Sequence, residues 1–298
     1  MAQILKNSTL RDILVKEAMR RQIVSLDVGS TINSAIKNLI KYKISALLIR
    51  DTNGKPAGVV SKTDIVSAYY AGLPAETTVD TIMVGPPLYC LQNQSLEAAL
   101  EQMRSSMVYR LYVTDESDDD VIGVLAYPDI VALLYVYCRG CDQSATNRRK
   151  QNLDDSHVLR VRVRDVMTPK VVSYAESDTL SDIIEGMSHN RFSSVLIRNV
   201  SGMPVGVISK TDLMLAYKHG APTEESAMFI LKSPNVRSCD EEEFIEDAIR
   251  GMVFSELHRL FVHSGDVANI TGVLSLSDLS RFRSGSCHAC VGARITMK

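Results

Sequence analysis

The residues best suited to chemistry stand in a heptapeptide that the chain carries twice, as Gly-Val-Val-Ser-Lys-Thr-Asp at 58–64 and Gly-Val-Ile-Ser-Lys-Thr-Asp at 206–212. Each copy ends a short apolar run and begins a stretch of helical spacing, which predicts a strand leading directly into a helix. The first N–H groups of such a helix lack intrahelical partners and can receive an anion. The Ser and Thr hydroxyls can donate to phosphate, and the carboxylate can accept both hydroxyls of a ribose. The candidate binding residues in these two copies are Ser61, Lys62, Thr63, Asp64, Ser209, Lys210, Thr211 and Asp212.

A purely structural role competes with this interpretation. Ser-x-x-Asp is also a capping box, in which the Ser and Asp side chains satisfy the start of a helix and bind nothing else. For one isolated copy, the cap would be the better explanation. The recurrence of the motif favours a binding role.

The elements around the heptapeptide recur four times, in the order helix, β, α, β, β, α. In the first copy they are predicted at 14–19, 23–26, 31–41, 45–49 and 57–60, followed by a second helix. The two halves of the chain align without gaps over long stretches. Asp64 and Asp212 stand 148 residues apart, and Arg110 and Arg259 stand 149 apart. The sequence therefore predicts an α/β (α+β) protein of four repeated units in two pairs.

Composition narrows the class of protein. The chain has 298 residues, 45% of them hydrophobic and 23% charged, which is ordinary for a soluble globular protein of about two domains. A net charge of −2 offers no basic field for nucleic acid or a membrane. No apolar run is long enough to span a bilayer, and no signal peptide is recognised, so we expect a cytoplasmic protein. No catalytic signature is found either, so we expect no enzyme activity.

Four βαββα units with openings such as Asp165-Val166-Met167, each closing on Gly-h-h-Ser-x-x-Asp where h is apolar, resemble tandem CBS domains. Two such domains form a Bateman module, and the resemblance implies two modules in a pseudo-twofold disc. We predict CBS units at 10–72, 78–140, 162–220 and 222–285, a linker at 142–161 and a Cys-containing tail at 286–298.

The resemblance implies regulatory binding of adenine nucleotides, as in the gamma subunit of AMP-activated protein kinase. In that family the terminal Asp holds ribose, nearby hydroxyls hold phosphate, and a His-Arg pair reaches the phosphates from the neighbouring unit. The matching positions in this sequence are Tyr109-Arg110 in the second unit and His258-Arg259 in the fourth. A guanidinium offers a planar, bidentate fork for phosphate. The alternative for both arginines is a partly buried side chain paired with a carboxylate.

The second and fourth units depart from the Ser-Lys-Thr-Asp pattern. The second keeps Asp129 but has Ala126 in place of the serine, and the fourth has Ser275, Ser277 and Asp278 without the lysine. We therefore rank the sites of the first and third units highest, the fourth next and the second last.

The resemblance thus predicts a nucleotide sensor that binds AMP, ADP or ATP, with S-adenosylmethionine as another adenosyl ligand. The ligand would shift the relative orientation of two units, and an unidentified partner protein would respond to that orientation. A homodimer is compatible with the sequence.

The six cysteines support a different hypothesis. Three of them recur 149 residues later, so that Cys90, Cys138 and Cys141 correspond to Cys239, Cys287 and Cys290. In a right-handed β-α-β arrangement, each set of three thiols would gather at one sheet edge. Cys-x-x-Cys with a third Cys suits zinc or an iron–sulfur cluster, which would make the protein a metal- or redox-responsive regulator. The alternative is six reduced, inert thiols.

Overall fold

The computed structural model describes residues 13–116, 118–140, 161–231 and 236–283. Within them, the four repeats each form a three-stranded sheet. The first strand pairs in parallel with the middle strand, and the middle strand pairs antiparallel with the third. A helix connects the parallel strands because they cannot be joined by a tight turn. The predicted α/β fold of four βαββα units is confirmed.

The odd-numbered repeats have nearly identical elements. The first repeat contains α1 (Val15–Ala18), β1 (Ser25–Asp27), α2 (Ile32–Lys41), β2 (Ala46–Arg50), β3 (Pro56–Ser61) and α3 (Lys62–Tyr70). The third contains a 3-10 turn (Val163–Asp165), β7 (Ser173–Ala175), α6 (Leu180–His189), β8 (Ser194–Arg198), β9 (Pro204–Ser209) and α7 (Lys210–Lys218). The hairpin turns of both copies place a glycine at positive φ, Gly54 at 79° and Gly202 at 76°. Only glycine adopts this backbone conformation without steric cost.

The even-numbered repeats have longer hairpins. The second contains a 3-10 turn (Val79–Thr81), β4 (Tyr89–Leu91), α4 (Leu96–Ser105), β5 (Arg110–Asp115), β6 (Asp118–Ala126) and α5 (Tyr127–Gly140). The fourth contains α8 (Ala227–Ile230), β10 (Ser238–Asp240), α9 (Ile245–Phe254), β11 (Arg259–Ser264), β12 (Asp266–Ser275) and α10 (Leu276–Arg283). The strands of the second repeat extend into the acidic run at 115–120, further than the apolar residues alone predict.

The helices bury the faces that their periodicity predicts. In α2 the buried residues are Ile32, Ala35, Ile36 and Leu39. In α4 they are Leu96, Ala99, Leu100 and Met103. Apolar side chains that recur at every third or fourth position form one stripe along a helix, and burial of that stripe stabilises the repeat.

The chain forms two compact units, and each combines alternate repeats. The odd unit comprises Ile23–Leu88 and Val171–Val236, and the even unit comprises Met1–Gln22, Tyr89–Lys170 and Arg237–Lys298. Each unit has its own hydrophobic core. The sheets of the first and third repeats therefore share one core, and the sheets of the second and fourth repeats share the other. The opening segment of each repeat, such as α1 or the 3-10 turn at Val79–Thr81, belongs to the core of the other unit.

The core of the odd unit includes a pair of stacked tyrosines, one from each repeat. The rings of Tyr69 in α3 and Tyr217 in α7 lie 5.0 Å apart at 14°. Their hydroxyls donate reciprocally, Tyr69 to the Ala221 carbonyl and Tyr217 to the Leu73 carbonyl, both at 2.6 Å. The contact between the first and third repeats is thus symmetric, because each tyrosine makes the same stacking contact and the same kind of hydrogen bond as the other.

No helix among the described residues is both long and apolar enough to cross a membrane. The predicted linker at 142–161 lies outside the described residues except for its last residue, and the tail at 286–298 lies wholly outside them. The predicted boundaries of the four units stay a prediction.

Candidate functional site

Each Ser-Lys-Thr-Asp motif lies at the junction between a strand and a helix. Ser61 ends β3 and is the N-cap of α3, and Ser209 ends β9 and is the N-cap of α7. The serine side chain accepts from the backbone N–H of the aspartate three residues later, at 3.4 Å in both copies. The capping box considered in the sequence analysis is therefore present.

The cap uses one carboxylate oxygen of each aspartate. Oδ2 of Asp64 accepts from the backbone N–H and the hydroxyl of Ser61, both at 2.7 Å. Oδ2 of Asp212 accepts from the same groups of Ser209, at 2.9 and 2.6 Å. Within the described part of the chain, neither Oδ1 atom has a hydrogen bond or an ion pair. Capping and binding are therefore compatible, because one oxygen caps the helix while the other can accept a ligand hydroxyl.

The first N–H groups of α3 and α7 have partners outside the helix, so they are not available to an anion. The Lys62 N–H donates to the Ser45 carbonyl at 2.9 Å, and the Thr63 N–H donates to the Ser61 hydroxyl at 3.2 Å. The Lys210 N–H of α7 likewise donates to the Ser193 carbonyl at 3.0 Å. Ser45 and Ser193 each precede the middle strand of their repeat. The antiparallel pairing of the middle and third strands brings each serine carbonyl next to the start of the helix, where it accepts from the first helical N–H. An anion at this position would have to bind side chains.

The two motifs meet inside the odd unit through crossed hydrogen bonds. Nζ of Lys62 donates to Oγ1 of Thr211 at 2.8 Å, and Nζ of Lys210 donates to Oγ1 of Thr63 at 2.7 Å. Each threonine oxygen accepts a hydrogen bond from a lysine, so the threonine hydroxyl can still donate a hydrogen bond to another group. The result is a cluster of two ammonium groups and two threonine hydroxyls, and each threonine is followed in the chain by Asp64 or Asp212.

The remaining predicted site residues lie in the even unit. Arg110 begins β5 and pairs with Ala126 across the hairpin, and Arg259 begins β11 and pairs with Ser275. Each arginine therefore lies at the sheet edge where the third strand leads into the last helix of its repeat. Burial lowers the pKa of both Arg110 and Arg259. Burial removes water from the guanidinium and thereby disfavours its charged form. An anionic ligand would bind such a guanidinium more strongly, because little water has to be displaced from it.

Asp129 has different surroundings from the other three terminal aspartates. Its Oδ1 pairs with Nε of Arg20 at 2.7 Å, and its Oδ2 accepts from the Ala126 N–H at 2.8 Å. Burial raises the pKa of Asp129, and the charge of Arg20 and the hydrogen bond from Ala126 oppose the shift. Both carboxylate oxygens of Asp129 are therefore engaged, and the low rank of this site stays a prediction.

The fourth repeat has an intermediate arrangement. Oδ2 of Asp278 accepts from the backbone N–H and hydroxyl of Ser275 at 3.0 and 2.5 Å, as in the odd repeats. The Ser275 and Ser277 hydroxyl oxygens lie 2.7 Å apart. The His258 ring stacks on Tyr109 of the second repeat, with centroids 5.9 Å apart. The Ser275 hydroxyl is thus engaged by Ser277 and by the helix cap, and the sequence of this motif contains no lysine.

Only two of the six cysteines have side chains within the described residues. Cys90 and Cys239 lie in the even unit's hydrophobic core, 4% and 6% exposed. Burial raises the pKa of each thiol to about 12, and Glu243 and Asp240 contribute at Cys239. Cys138 belongs to α5, but its side chain is outside the described part, as are Cys141, Cys287 and Cys290. Among the described residues, no three His, Cys, Asp or Glu side chains are grouped to hold a metal ion.

Two features escaped the sequence analysis. Arg20 looked like an ordinary charged residue near the N-terminus, and no local signal links it to Asp129. The glycine that opens the heptapeptide has a packing role. A Cβ at Gly58 would lie 2.9 Å from the Met83 sulfur, and one at Gly123 would lie 2.8 Å from the Met19 sulfur. Met19 and Met83 belong to the opening segments of the first and second repeats. The only sequence signal for their contact with these glycines is that both the glycine and the methionine recur from repeat to repeat.

Known proteins with similar sequences and folds include an archaeal protein and a plant protein. Protein MJ1225 from Methanocaldococcus jannaschii is 19% identical over 200 residues, which are 67% of this chain and 68% of MJ1225. The crystal structure of MJ1225, a proposed archaeal homologue of g-AMPK, matches with a TM-score of 0.73 at 18% identity, over 91% of this chain and 99% of that chain. The CBS domain-containing protein CBSCBSPB3 of Arabidopsis thaliana is 21% identical over 272 residues, which are 80% of this chain but 47% of the plant protein.

A third relative is an enzyme, the homoserine O-acetyltransferase of Methanosarcina acetivorans. It is 28% identical over 133 residues, which are 45% of this chain and 24% of the enzyme. This chain therefore spans about a quarter of the acetyltransferase, and the similarity does not extend to the enzyme as a whole.

The CBS domain model matches four segments, at 15–71, 79–136, 163–219 and 230–285. These segments cover most of the chain, and each contains one of the three-stranded sheets and the helices that flank it. The resemblance to tandem CBS domains is confirmed, and the chain belongs to the CBS domain family.

Proposed function

We propose that this protein is a regulatory sensor of adenine nucleotides that binds them at the strand–helix junctions of the first and third repeats. The observation that carries the proposal is the state of Asp64 and Asp212. In each, Oδ2 caps the helix, and Oδ1 has no partner among the described residues. A carboxylate oxygen next to a threonine hydroxyl and a lysine ammonium offers an acceptor for ribose and donors for phosphate in one place.

The even unit would provide weaker sites. In the fourth repeat, Asp278 would accept ribose, and His258 and Arg259 would contact phosphate at the same sheet edge. In the second repeat Arg110 would contact phosphate, but Asp129 would contribute little because both of its oxygens are engaged. The expected order is therefore first and third repeats, then fourth, then second.

The regulatory step would be a shift between conformations of the chain. A ligand shifts such an equilibrium only if it binds one conformation more tightly than the other, and the size of the shift follows from that difference in affinity. A cytoplasmic partner protein would bind one state preferentially, and the chain itself would catalyse no reaction.

Isothermal titration calorimetry with AMP, ADP, ATP and S-adenosylmethionine tests the proposal on protein shown by native mass spectrometry to be ligand-free. We expect millimolar to micromolar affinity for at least one of them, which corresponds to about 4–8 kcal/mol. The double variant Asp64→Asn with Asp212→Asn is the control, because asparagine keeps an acceptor for the serine cap but removes the negative charge. Absence of heat with all four ligands would refute nucleotide binding.

A further inference from the structure

We propose that the two Ser-Lys-Thr-Asp motifs exchange their lysines, so that Lys210 binds the phosphate held beside Thr63 and Lys62 binds the phosphate held beside Thr211. The inference rests on the proposed function, because it takes a nucleotide phosphate as the ligand. It adds that the lysine of each site comes from the other repeat of the odd unit. It also assigns to each lysine the site on which it acts.

The geometry points to this exchange because each ammonium already contacts the threonine of the opposite motif. Nζ of Lys210 is 2.7 Å from Oγ1 of Thr63, and Nζ of Lys62 is 2.8 Å from Oγ1 of Thr211. These bonds connect residues 147 and 149 positions apart in the chain. Lys62 and Thr63, although adjacent in one motif, therefore take part in different crossed hydrogen bonds.

A phosphate oxygen that accepts a hydrogen bond from the Thr63 hydroxyl would lie about 2.7 Å from Oγ1, on a side not used by the lysine. The ammonium of Lys210 has three donors on a flexible stem, so it can keep the threonine and also donate to that phosphate oxygen. The Thr211 site is equivalent, with Lys62 as the donor.

The packing of the odd unit holds the two motifs in this relation. Tyr69 and Tyr217 stack at 5.0 Å, and each hydroxyl donates to a carbonyl of the opposite repeat. Because these tyrosines belong to the same helices as the lysines, the starts of α3 and α7 are fixed relative to each other. The crossed lysine contacts are thus supported by a second, independent set of crossed contacts.

The decisive experiment leaves one odd-unit site intact at a time in the full chain and measures AMP affinity by calorimetry, with the weaker site of the fourth repeat present in every variant. In an Asp212→Asn background, AMP binds the odd unit beside Asp64. There Lys210→Met should raise the Kd about tenfold or more, because a charge-assisted hydrogen bond is lost. Lys62→Met should have the smaller effect. In an Asp64→Asn background the order of the two lysines should reverse.

The outcomes separate this inference from the proposed function. If AMP binds and the lysine of the same motif has the larger effect in each background, the exchange is refuted while nucleotide binding stands. Equal effects of the two lysines also refute the exchange. If the unmodified chain binds none of the nucleotides, the proposed function is refuted, and the inference is refuted with it.

A ligand-free measurement tests the geometry alone. In urea unfolding, Lys62→Met and Thr211→Val should be non-additive, because both remove the same hydrogen bond. Lys62→Met and Thr63→Val should show a smaller coupling, because they belong to different crossed bonds. Additivity of Lys62→Met with Thr211→Val would overturn the crossed arrangement even in protein that binds AMP.

Discussion

Asp64 and Asp129 occupy equivalent positions in their repeats but have different surroundings. Asp64 keeps one oxygen without a partner among the described residues, whereas both oxygens of Asp129 are bound. We expect Asp64→Asn and Asp212→Asn each to weaken AMP binding at its own site by about 1–3 kcal/mol, because a ribose hydroxyl loses a charged acceptor. Asp129→Asn should change the affinity little. Calorimetry with the single variants measures this, and an equal loss for Asp129→Asn would contradict the ranking.

The ion pair between Arg20 and Asp129 should matter for folding. The side chain of Asp129 is 8% exposed and that of Arg20 is 46% exposed. We expect Asp129→Ala to lower the free energy of unfolding by about 1–3 kcal/mol, since the Ala126 N–H and Arg20 both lose an acceptor. The matched control is Glu101→Ala in α4, which breaks the exposed pair with Arg104 and should cost less than about 1 kcal/mol. Urea unfolding measures both, and equal costs would contradict the structural role of Asp129.

The thiols of Cys90 and Cys239 should be unreactive in the folded protein. Burial raises the pKa of each to about 12 from the ordinary value of 9.0, and the thiolate is the nucleophile. At pH 8 we expect iodoacetamide to modify both far more slowly than in urea. Peptide mapping by mass spectrometry follows each cysteine separately. Fast modification of Cys90 in folded protein would contradict its burial.

The same raised pKa values predict a loss of stability at high pH. The unfolded thiol begins to ionise near pH 9, while the folded thiol stays protonated up to about pH 12. The folded state therefore binds more protons in this interval, so the contribution is complete below pH 9 and declines as the pH rises toward 12. Urea unfolding should show a smaller alkaline loss for Cys90→Ala than for the unmodified chain. A metal assay on the same preparation tests the zinc and iron–sulfur hypothesis, which involves all six cysteines, four of them with side chains outside the described residues.

At the scale of elements, α3 and α7 are joined by the stack of Tyr69 and Tyr217. The two tyrosines are 5% and 8% exposed, and each also makes a hydrogen bond to the opposite repeat. We expect a double-mutant cycle of Tyr69→Leu and Tyr217→Leu to give a coupling of about 0.5–1.5 kcal/mol in urea unfolding. Tyr70→Leu is the control, because Tyr70 follows Tyr69 in α3 but is 49% exposed. A coupling near zero for the stacked pair would contradict the contact.

At the scale of the whole molecule, each compact unit draws on both halves of the chain. A fragment of residues 1–150 would contain α3 without α7, and α5 without α9 and α10. Those helices would expose apolar faces that are covered in the full chain, so we expect the fragment to associate into homodimers in which a second copy replaces the missing half. Size-exclusion chromatography with light scattering gives the mass. A stable monomeric fragment would contradict the shared cores.

The sequence by itself determines the structure within each repeat. Apolar residues at helical spacing predict the buried faces of α2 and α4, and Ser-x-x-Asp predicts the caps of α3 and α7. These signals are local, because each depends on residues within one or two turns of a helix or on one hairpin. The fourfold recurrence of the same order of elements then indicates the CBS family.

Only the tertiary structure decides how the repeats combine. The four repeats carry similar periodicity, so no local pattern distinguishes the partner that shares a core with the first repeat. The contacts between Lys62 and Thr211 and between Arg20 and Asp129 join residues more than 100 positions apart in the chain. Such contacts depend on which apolar faces pack together. The pairing of these faces depends on the total packing energy of whole repeats and not on any short stretch of sequence. For this reason the candidate binding residues can be found in the sequence, whereas the exchange of lysines between the two motifs appears only when the chain is folded.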